Sequence, residues 1–212
     1  MPQSRKPKPS NRGGTPEAQR QRAAVTRAAL VATARTLFAE AGYHATGTTE
    51  IAARAAMTRG ALYHHFADKE ELFTEVFRTV AAELVGKSNA SVAALSGDLW
   101  LQVSAAYRTF LNLVASDAEY QRILLIDGPV VLGWNRWREL QAEVVARGTA
   151  DALGMLMDQG LVARQPPAPL ANLLQAALND AALTIANASA PAVASREMTD
   201  AFLNLLYGLR SR

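Results

Sequence analysis

The stretch TTEIAARAAMTRGALYHHF, residues 48–66, decides the fold of this chain. Its first half carries apolar residues at helical spacing: Ile51, Ala52 and Ala55. This spacing predicts a short helix over residues 48–55, then a tight turn, then a second short helix from Thr58 to about His65. Two short helices joined in this way form a helix-turn-helix, whose second helix enters the major groove of DNA.

The amino-terminal ends of these two helices carry groups that suit phosphate. Thr48 and Thr49 lie in the first turn of one helix, and Thr58, Arg59 and Gly60 lie in the first turn of the other. Hydroxyl groups, a guanidinium and exposed backbone N–H groups at helix amino termini bind phosphate oxygens. Gly60 has no side chain, so the backbone can approach a duplex closely. The pattern therefore indicates DNA binding.

The residues that follow extend this surface. We expect Phe66 to pack inward, while Tyr63 and His64 face the DNA backbone. Lys69 falls in the first turn of the next helix, which Asp68 caps, and a cation there is unfavourable for the helix dipole unless a phosphate lies close by. The alternative for Lys69 is a solvated lysine among acidic neighbours.

The rest of the chain is also predicted to be helical. A helix over residues 16–41, capped by Thr15, precedes the stretch and ends at Gly42, where glycine permits a left-handed conformation. Breakers such as Gly128-Pro129 and the prolines of residues 166–169 separate five later segments: residues 99–115, 118–127, 133–159, 170–188 and 194–209. Residues 130–132 suit a strand, but no second strand is available to pair with them. The predicted fold class is all-α, with about nine helices.

Composition narrows the class of protein. Half of the 212 residues are apolar, and no apolar run is long enough to span a membrane. The first residues lack the apolar segment of a signal peptide, and the chain has no cysteine, which is typical of a cytoplasmic protein. His44, His64 and His65 lack metal-binding spacing, and no carboxylate pair stands out. We therefore expect no metal, no cofactor, no catalytic residues and no enzyme activity.

The charge is unevenly distributed. Residues 1–70 carry a net charge of +6 and residues 71–212 a net charge of −3. This asymmetry indicates a polyanionic partner for the first third, or else a solvated basic tail. Residues 1–15 are predicted to form a disordered basic arm. That arm either reaches the minor groove of DNA or serves as a solubilising tail.

Three blocks of sequence resemble the TetR family of repressors. They are LFAEAGY at residues 37–43, TTEIA at residues 48–52 and TRGALYHHFADKEEL at residues 58–72, and the resemblance extends over about residues 23–77. It implies a homodimer, a palindromic double-stranded DNA operator and a small-molecule inducer, of unknown identity, bound in a carboxy-terminal helical domain. It also implies that the inducer releases the repressor from the operator.

The resemblance assigns DNA-binding roles to nine residues: Thr48, Thr49, Thr58, Arg59, Gly60, Ala61, Tyr63, His64 and Lys69. The hydroxyls of Thr48 and Thr58, the pair Tyr63 and His64, and the Lys69 ammonium correspond to phosphate contacts. Arg59, Gly60 and Ala61 begin the recognition helix. Arg59 either reads guanine through two hydrogen bonds or binds phosphate alone.

The chain departs from the family pattern at three positions. Gly47 replaces a capping threonine, so we expect a weaker cap on the first short helix. Ala56 replaces a turn glycine, and alanine is strained there if the backbone needs a positive φ. Met57 replaces a small branched residue. These changes affect the positioning of the recognition helix and remove no phosphate contact.

The carboxy-terminal two thirds supply candidates for a ligand pocket, which should combine an apolar concavity with a few polar groups. The candidates are Trp100, Tyr107, Phe110, Arg122, Asp127, Trp134, Trp137 and Asn179, and Gln102 is a further polar residue on an otherwise apolar helix. Each is alternatively a core aromatic or a surface group. The last two helices are apolar on more than one face, so they form a dimer interface or are buried within one subunit.

These observations predict three regions: the arm of residues 1–15, a three-helix DNA-binding domain over residues 16–67, and a helical ligand-binding and dimerisation domain over residues 68–212. The alternative is a helical ligand-binding or scaffold protein without DNA-binding activity. The presence of Thr58, Arg59 and Tyr63 at their family positions argues against that alternative.

Overall fold

The computed structural model describes residues 15–92, 95 and 97–211. Its regular elements are ten α-helices and two π-helical segments, and one isolated bridge joins Val162 to Arg210. The helices are α1 (Pro16–Ala41), α2 (Thr48–Arg54), α3 (Arg59–His65), α4 (Lys69–Ala90), α5 (Leu99–Ser116), α6 (Ala118–Tyr120), α7 (Gly128–Gln141), α8 (Arg147–Asp158), α9 (Pro167–Ala186) and α10 (Pro191–Tyr207). The first π segment is Gln121–Asp127 and the second is Ala142–Ala146. The all-α prediction is confirmed, while the predicted arm lies outside the described residues except for Thr15.

The first helix begins and ends as its sequence predicts. The Thr15 hydroxyl accepts the N–H of Ala18 at 3.3 Å, and Pro16 occupies the first position of α1. Gly42 follows the last residue with φ +82° and ψ 165°, a backbone region that essentially only glycine occupies. The side chain that a larger residue would carry there would come within 3.3 Å of the Arg122 guanidinium. Gly42 therefore serves both the turn and a close packing contact.

An aromatic cluster holds the turn after α1 against α4. The rings of Phe38 and Phe73 pack edge to face at 5.4 Å, and Tyr43 packs edge to face on Phe73 at 5.2 Å. Arg27 on α1 lies 4.8 Å above the Phe66 ring and binds Glu75 on α4 at 2.8 Å. These contacts fix α3 and the start of α4 relative to α1.

The tight turn between α2 and α3 carries the strain expected from its sequence. Ala56 has φ +55°, and within the described residues it is the one residue other than glycine with a positive φ. Gly47 caps α2 with no side-chain hydrogen bond, as predicted. Met57 is partly buried against the core and donates its N–H to the Ala52 carbonyl at 2.8 Å. The turn thus positions α3 at a conformational cost.

Ala56→Gly is expected to stabilise the protein by about 0.5–1 kcal/mol, because relief of the left-handed strain exceeds the added entropy of the unfolded chain. Urea unfolding at neutral pH measures the difference. Ala53→Gly, at an exposed position inside α2, is the control and is expected to destabilise by about 1 kcal/mol. A loss of stability for Ala56→Gly would contradict the assignment of strain to this turn.

Helix α4 links the helix-turn-helix to the rest of the molecule. It extends without interruption from Lys69 to Ala90, and the Asp68 carboxylate caps its start, as predicted, by accepting the N–H of Glu71. Its buried residues recur at helical spacing: Leu72, Phe73, Val76, Phe77, Val80, Ala81 and Leu84. The helix packs on α1 along one side and on α5, α7 and the second π segment along others. One rigid element therefore extends from the helix-turn-helix into the carboxy-terminal bundle.

The predicted break at Gly128-Pro129 is wrong, because the backbone stays helical from the first π segment through Gly128 into α7. Gly128 is buried, and a β-carbon on it would lie 3.0 Å from both the Phe77 and Trp137 side chains. The glycine therefore serves close packing rather than helix termination. Helical geometry is interrupted at Gly133 instead, where φ is +72°. The candidate strand at residues 130–132 is accordingly helical.

Other boundaries also differ from prediction, and α10 spans Pro191–Tyr207 where the sequence predicts residues 194–209. The segment predicted as one helix over residues 133–159 contains the second π segment, which lies between α7 and α8. Helix α9 begins at Pro167 rather than at residue 170, because proline is favoured in the first turn of a helix, where its missing N–H costs nothing. No helix among the described residues has the length and hydropathy needed to cross a bilayer.

Candidate functional site

The exposed face of the helix-turn-helix is formed by the start of α3 and one end of α2. Leu62 and Phe66 are buried, whereas Arg59, Gly60 and His64 are exposed and Tyr63 is 40% exposed. The predicted burial of Phe66 and outward position of Tyr63 and His64 are thereby confirmed. Thr48, Thr49, Thr58 and Ala61 lie at the two helix starts, with Thr49 and Thr58 exposed.

Three of the predicted DNA-binding residues contact one another. The hydroxyls of Thr48 and Tyr63 lie 3.2 Å apart, and the Arg59 guanidinium donates to the Tyr63 hydroxyl at 3.5 Å. Arg59 also lies over the Tyr63 ring, 5.4 Å from its centre. The hydrogen bond with Thr48 and then that with Arg59 lower the pKa of Tyr63. These contacts hold the Arg59 guanidinium against Tyr63 at the surface.

Thr58 fixes the start of α3. Its hydroxyl oxygen accepts the N–H of Ala61 at 3.1 Å, which leaves the hydroxyl hydrogen for an acceptor outside the helix. At Gly60 a β-carbon would have only the Thr58 hydroxyl within 4 Å, at 3.8 Å. The backbone is therefore accessible at this point. An anionic chain can approach both the hydroxyl and the backbone of this turn.

Lys69 is bound to the turn between α1 and α2. Its ammonium donates to the carbonyls of Tyr43 at 3.0 Å and Thr46 at 3.1 Å, and it lies 3.9 Å from the centre of the Tyr43 ring. Burial lowers the pKa of Lys69. Lys69 is thus not a freely solvated lysine, although an ammonium has three N–H donors and two are used.

The same turn is tied to the first π segment. The Tyr43 N–H donates to the Asp127 carboxylate at 2.8 Å, and Asp127 is only 8% exposed. Thr46 is buried and donates to the carbonyls of Leu37 and Gly42. Arg122 and Asp127, predicted as pocket candidates, therefore lie against the turn that follows α1. The sequence did not indicate this contact, because it joins residues 84 positions apart.

A group of charged residues connects α1, α4 and α6. Arg35 binds Glu119 through two hydrogen bonds of 2.8 and 2.5 Å and binds Glu83 at 2.5 Å. Lys87 binds Glu83 at 2.6 Å and the Tyr120 hydroxyl at 2.9 Å. The hydrogen bond with Arg35, followed in importance by that with Lys87, lowers the pKa of Glu83 from 4.5 to about 2. The hydrogen bond with Glu119 raises the pKa of Arg35. The helix-turn-helix and the bundle are joined here a second time.

The stabilisation that Glu83 provides is expected to depend on pH. Because folding lowers its pKa from 4.5 to about 2, the contribution is complete above about pH 5 and is lost as the pH falls toward 2. The difference in unfolding free energy between the wild type and Glu83→Gln should shrink over that range in urea titrations. Glu139→Gln, at an exposed ion pair with Arg136, is the control and should cost less than about 0.5 kcal/mol. A difference that stays constant from pH 5 to 3 would contradict the assignment.

A cavity of about 330 Å³ lies among α4, α5, α8 and α9. Of the predicted candidates, Tyr107 and Phe110 line it, and so does Gln102. Its other lining residues are small or apolar for the most part: Val85, Ser88, Asn89, Val92, Leu99, Val103, Ala106, Val145, Gly148, Thr149, Ala152, Met155 and Leu178. Thr149 was missed, since one threonine in a helix gives no sequence signal of its own. Its hydroxyl accepts the Tyr107 O–H at 3.1 Å.

The structure places the remaining candidates elsewhere. Trp100 is buried beside Tyr207, and Trp137 is buried with its indole N–H donating to the Leu124 carbonyl at 2.9 Å. Trp134 is 60% exposed. Asn179 accepts the Gln175 amide at 2.9 Å and borders two much smaller clefts. The sequence could not distinguish these core and surface roles from a pocket role.

Two regions of the chain match family profiles of known proteins. Residues 30–76 match the profile described as "Bacterial regulatory proteins, tetR family". Residues 100–209 match "Tetracyclin repressor-like, C-terminal domain". The first match covers the helix-turn-helix and the second covers the bundle with the cavity.

Individual proteins are similar over different lengths. A TetR-family transcriptional regulator from Pectobacterium atrosepticum has a crystal structure with 34% identity and a TM-score of 0.77, covering 91% of this chain and 98% of that chain. The HTH-type transcriptional repressor KstR2 from Rhodococcus jostii is 43% identical over 67 residues, which is 32% of this chain and 33% of that protein. RolR in complex with resorcinol shares the fold, with 19% identity and a TM-score of 0.71, covering 88% of this chain and 89% of that chain.

Proposed function

The chain belongs to the TetR family of transcriptional regulators, and we propose that it is a repressor that binds a palindromic operator as a homodimer and is released by a small-molecule inducer. It is thus a DNA-binding regulator, with Arg59, Thr58, Tyr63 and His64 as the residues most exposed to DNA. The observation that carries the proposal is the outward cluster of Thr48, Arg59 and Tyr63 on a buried helix-turn-helix core.

The DNA-binding roles rest on the chemistry of this surface. The Thr58 hydroxyl, the Tyr63 hydroxyl and the backbone at Gly60 suit phosphate, and the Arg59 guanidinium suits either guanine or phosphate. The third N–H of Lys69 is directed to a phosphate, while its other two hold the turn of Tyr43 and Thr46. Thr49, Ala61 and His64 are assigned to the same interface from their positions in α2 and α3.

The homodimer is proposed to form through α9 and α10. Leu173 on α9 is 69% exposed and Leu205 on α10 is 54% exposed in the single chain. The alternative, that both helices are wholly buried within one subunit, does not account for this exposure. Covering large apolar side chains on paired helices is the usual driving force for a four-helix interface.

The inducer is proposed to occupy the cavity lined by Tyr107, Phe110 and Thr149. Residues 85–89 of α4 line that cavity, and the other end of the same helix carries Lys69, which binds the turn after α1. A ligand that displaces α4 therefore moves the helix-turn-helix. The RolR complex with resorcinol supports a small-molecule ligand, and its fold is that of this chain. The boundary between the two regions at residues 67 and 68 is retained as a proposal.

The test is selection of bound sequences from a random DNA library with the full chain. We expect an enriched palindrome whose half-site spacing matches the two recognition helices of the dimer. Affinity for it should fall steeply with salt, because phosphate contacts release counterions. Failure to enrich any sequence would instead support the helical ligand-binding or scaffold alternative. Enrichment with no salt dependence would refute the phosphate contacts.

A further inference from the structure

The lining of the main cavity carries no ionisable acid or base other than one tyrosine among the residues that the structure describes. The sixteen lining residues include no Asp, Glu, Lys, Arg or His. Burial raises the pKa of Tyr107, so its hydroxyl stays protonated at neutral pH. The cavity therefore presents a neutral environment.

Two hydroxyl groups on the cavity wall, those of Tyr107 and Thr149, contact each other. The Tyr107 hydroxyl donates to Thr149, whose own hydroxyl hydrogen is then directed to another acceptor, while the Tyr107 oxygen retains an accepting lone pair. The pair thus offers one donor and one acceptor. Gln102 donates its amide N–H to the Leu95 carbonyl at 2.9 Å, which leaves its carbonyl oxygen as a second acceptor.

The two ends of the cavity differ. Phe110, Val145 and Leu178 are buried and close one end with apolar surface, whereas Asn89 and Met155 are exposed at the other. A ligand therefore enters past Asn89 and Met155 and places its apolar part against Phe110. At about 330 Å³ the cavity is near the lower limit for small-molecule sites, so the ligand is small.

We infer that the inducer is a small, electrically neutral, largely apolar molecule with one hydroxyl or carbonyl group, which hydrogen-bonds to the Tyr107–Thr149 pair. The inference rests on the proposed function, since it takes the cavity to be the inducer site. A carboxylate or ammonium in the same place would lose its hydration and gain no ionic partner, which is strongly unfavourable. A charged group is thereby excluded from the position beside Tyr107 and Thr149.

A matched set of probes tests the class of ligand: para-butylphenol, para-butylbenzoate, para-butylbenzylamine and butylbenzene. Binding to the full chain is measured by calorimetry near neutral pH, where the second and third probes are charged. We expect para-butylphenol to bind, and both charged probes to bind at least about 100-fold more weakly. Thr149→Val should weaken para-butylphenol about three- to ten-fold and leave butylbenzene unchanged. Tyr107→Phe is the second variant, with the same expected pattern.

Two further variants, Ala152→Phe and Ala106→Phe, each place a ring in the cavity and test whether the probes bind there. We expect both variants to lose probe binding and to retain binding to the selected DNA. Charged probes that bind as tightly as the phenol, with the same loss in these variants, would overturn the neutral class and leave the inducer site in place. Absence of binding by every probe would overturn the inference altogether. Neither result changes the outcome of the DNA selection, which tests the proposed function separately.

Discussion

Arg59→Ala is expected to weaken binding to the selected operator by about 10- to 100-fold, because a bidentate arginine–guanine contact contributes about 1–3 kcal/mol of discrimination. The guanidinium lies over the Tyr63 ring and donates to its hydroxyl, so its position is restricted before DNA binds. Binding to unrelated sequences should fall much less, and the preference for the operator should decline accordingly. Fluorescence anisotropy with operator and scrambled duplexes at one fixed salt concentration measures both losses.

Two substitutions separate the possible roles of Arg59. Arg59→Lys keeps the charge and loses the forked geometry, so it should retain non-specific binding but lose discrimination. Arg54→Ala is the control, since Arg54 on α2 is already paired with Glu40 and Glu50. If Arg59→Ala weakens operator and scrambled DNA equally and reduces the salt slope by about 1, Arg59 contacts phosphate alone.

Lys69→Ala is expected to affect both DNA binding and stability, because Lys69 is proposed to contact phosphate and also binds the turn after α1. The substitution should weaken binding to all sequences alike if the ammonium contacts phosphate. It also removes the donor to the Tyr43 and Thr46 carbonyls, so the unfolding free energy should fall as well. The loss of affinity has to be compared with this loss of stability before it is assigned to DNA.

Local chemistry made the helix-turn-helix predictable. Helix caps and turns depend on residues that are close in sequence. The helix ends at Thr15, Gly42, Gly47 and Asp68 could therefore be predicted from the neighbouring residues. The strain at Ala56 was likewise visible, because one turn conformation demands a positive φ from whatever residue occupies it. Tyr63 and Phe66 are three residues apart, a spacing that puts two side chains on the same face of a helix, so helical spacing alone does not separate them. Phe66 is buried because it follows the last residue of α3 with an extended backbone, φ −138°.

Long-range packing made the rest unpredictable. Gly128 resembles a helix breaker in sequence, and only the proximity of Phe77 and Trp137 explains why a glycine occupies this position. The sequence around an aromatic residue of the bundle does not show whether that residue lines a cavity, as Phe110 does, or fills the core, as Trp137 does. The contact between Asp127 and the turn after α1 belongs to the same class.

Asp127→Ala is expected to destabilise the protein by about 1–3 kcal/mol, because it leaves the Tyr43 N–H without its acceptor in a largely buried site. Asp127→Asn keeps an acceptor oxygen and should cost less. Asp158→Ala, which removes an exposed partner of Arg164, is the control and should cost less than about 0.5 kcal/mol. Urea unfolding of the three variants at one pH gives this order.

The same substitution is expected to weaken communication between the cavity and DNA. Tyr43 is held from two sides, by Asp127 through its N–H and by Lys69 through its carbonyl, so a movement of the first π segment or of α4 is transmitted to the turn before α2. In Asp127→Ala the first of these connections is absent. We therefore expect a neutral probe that binds the cavity to lower operator affinity less in Asp127→Ala than in the wild type, with probe affinity itself unchanged. Equal probe-induced release in the wild type and both Asp127 variants would show that the signal does not depend on the contact between Asp127 and Tyr43.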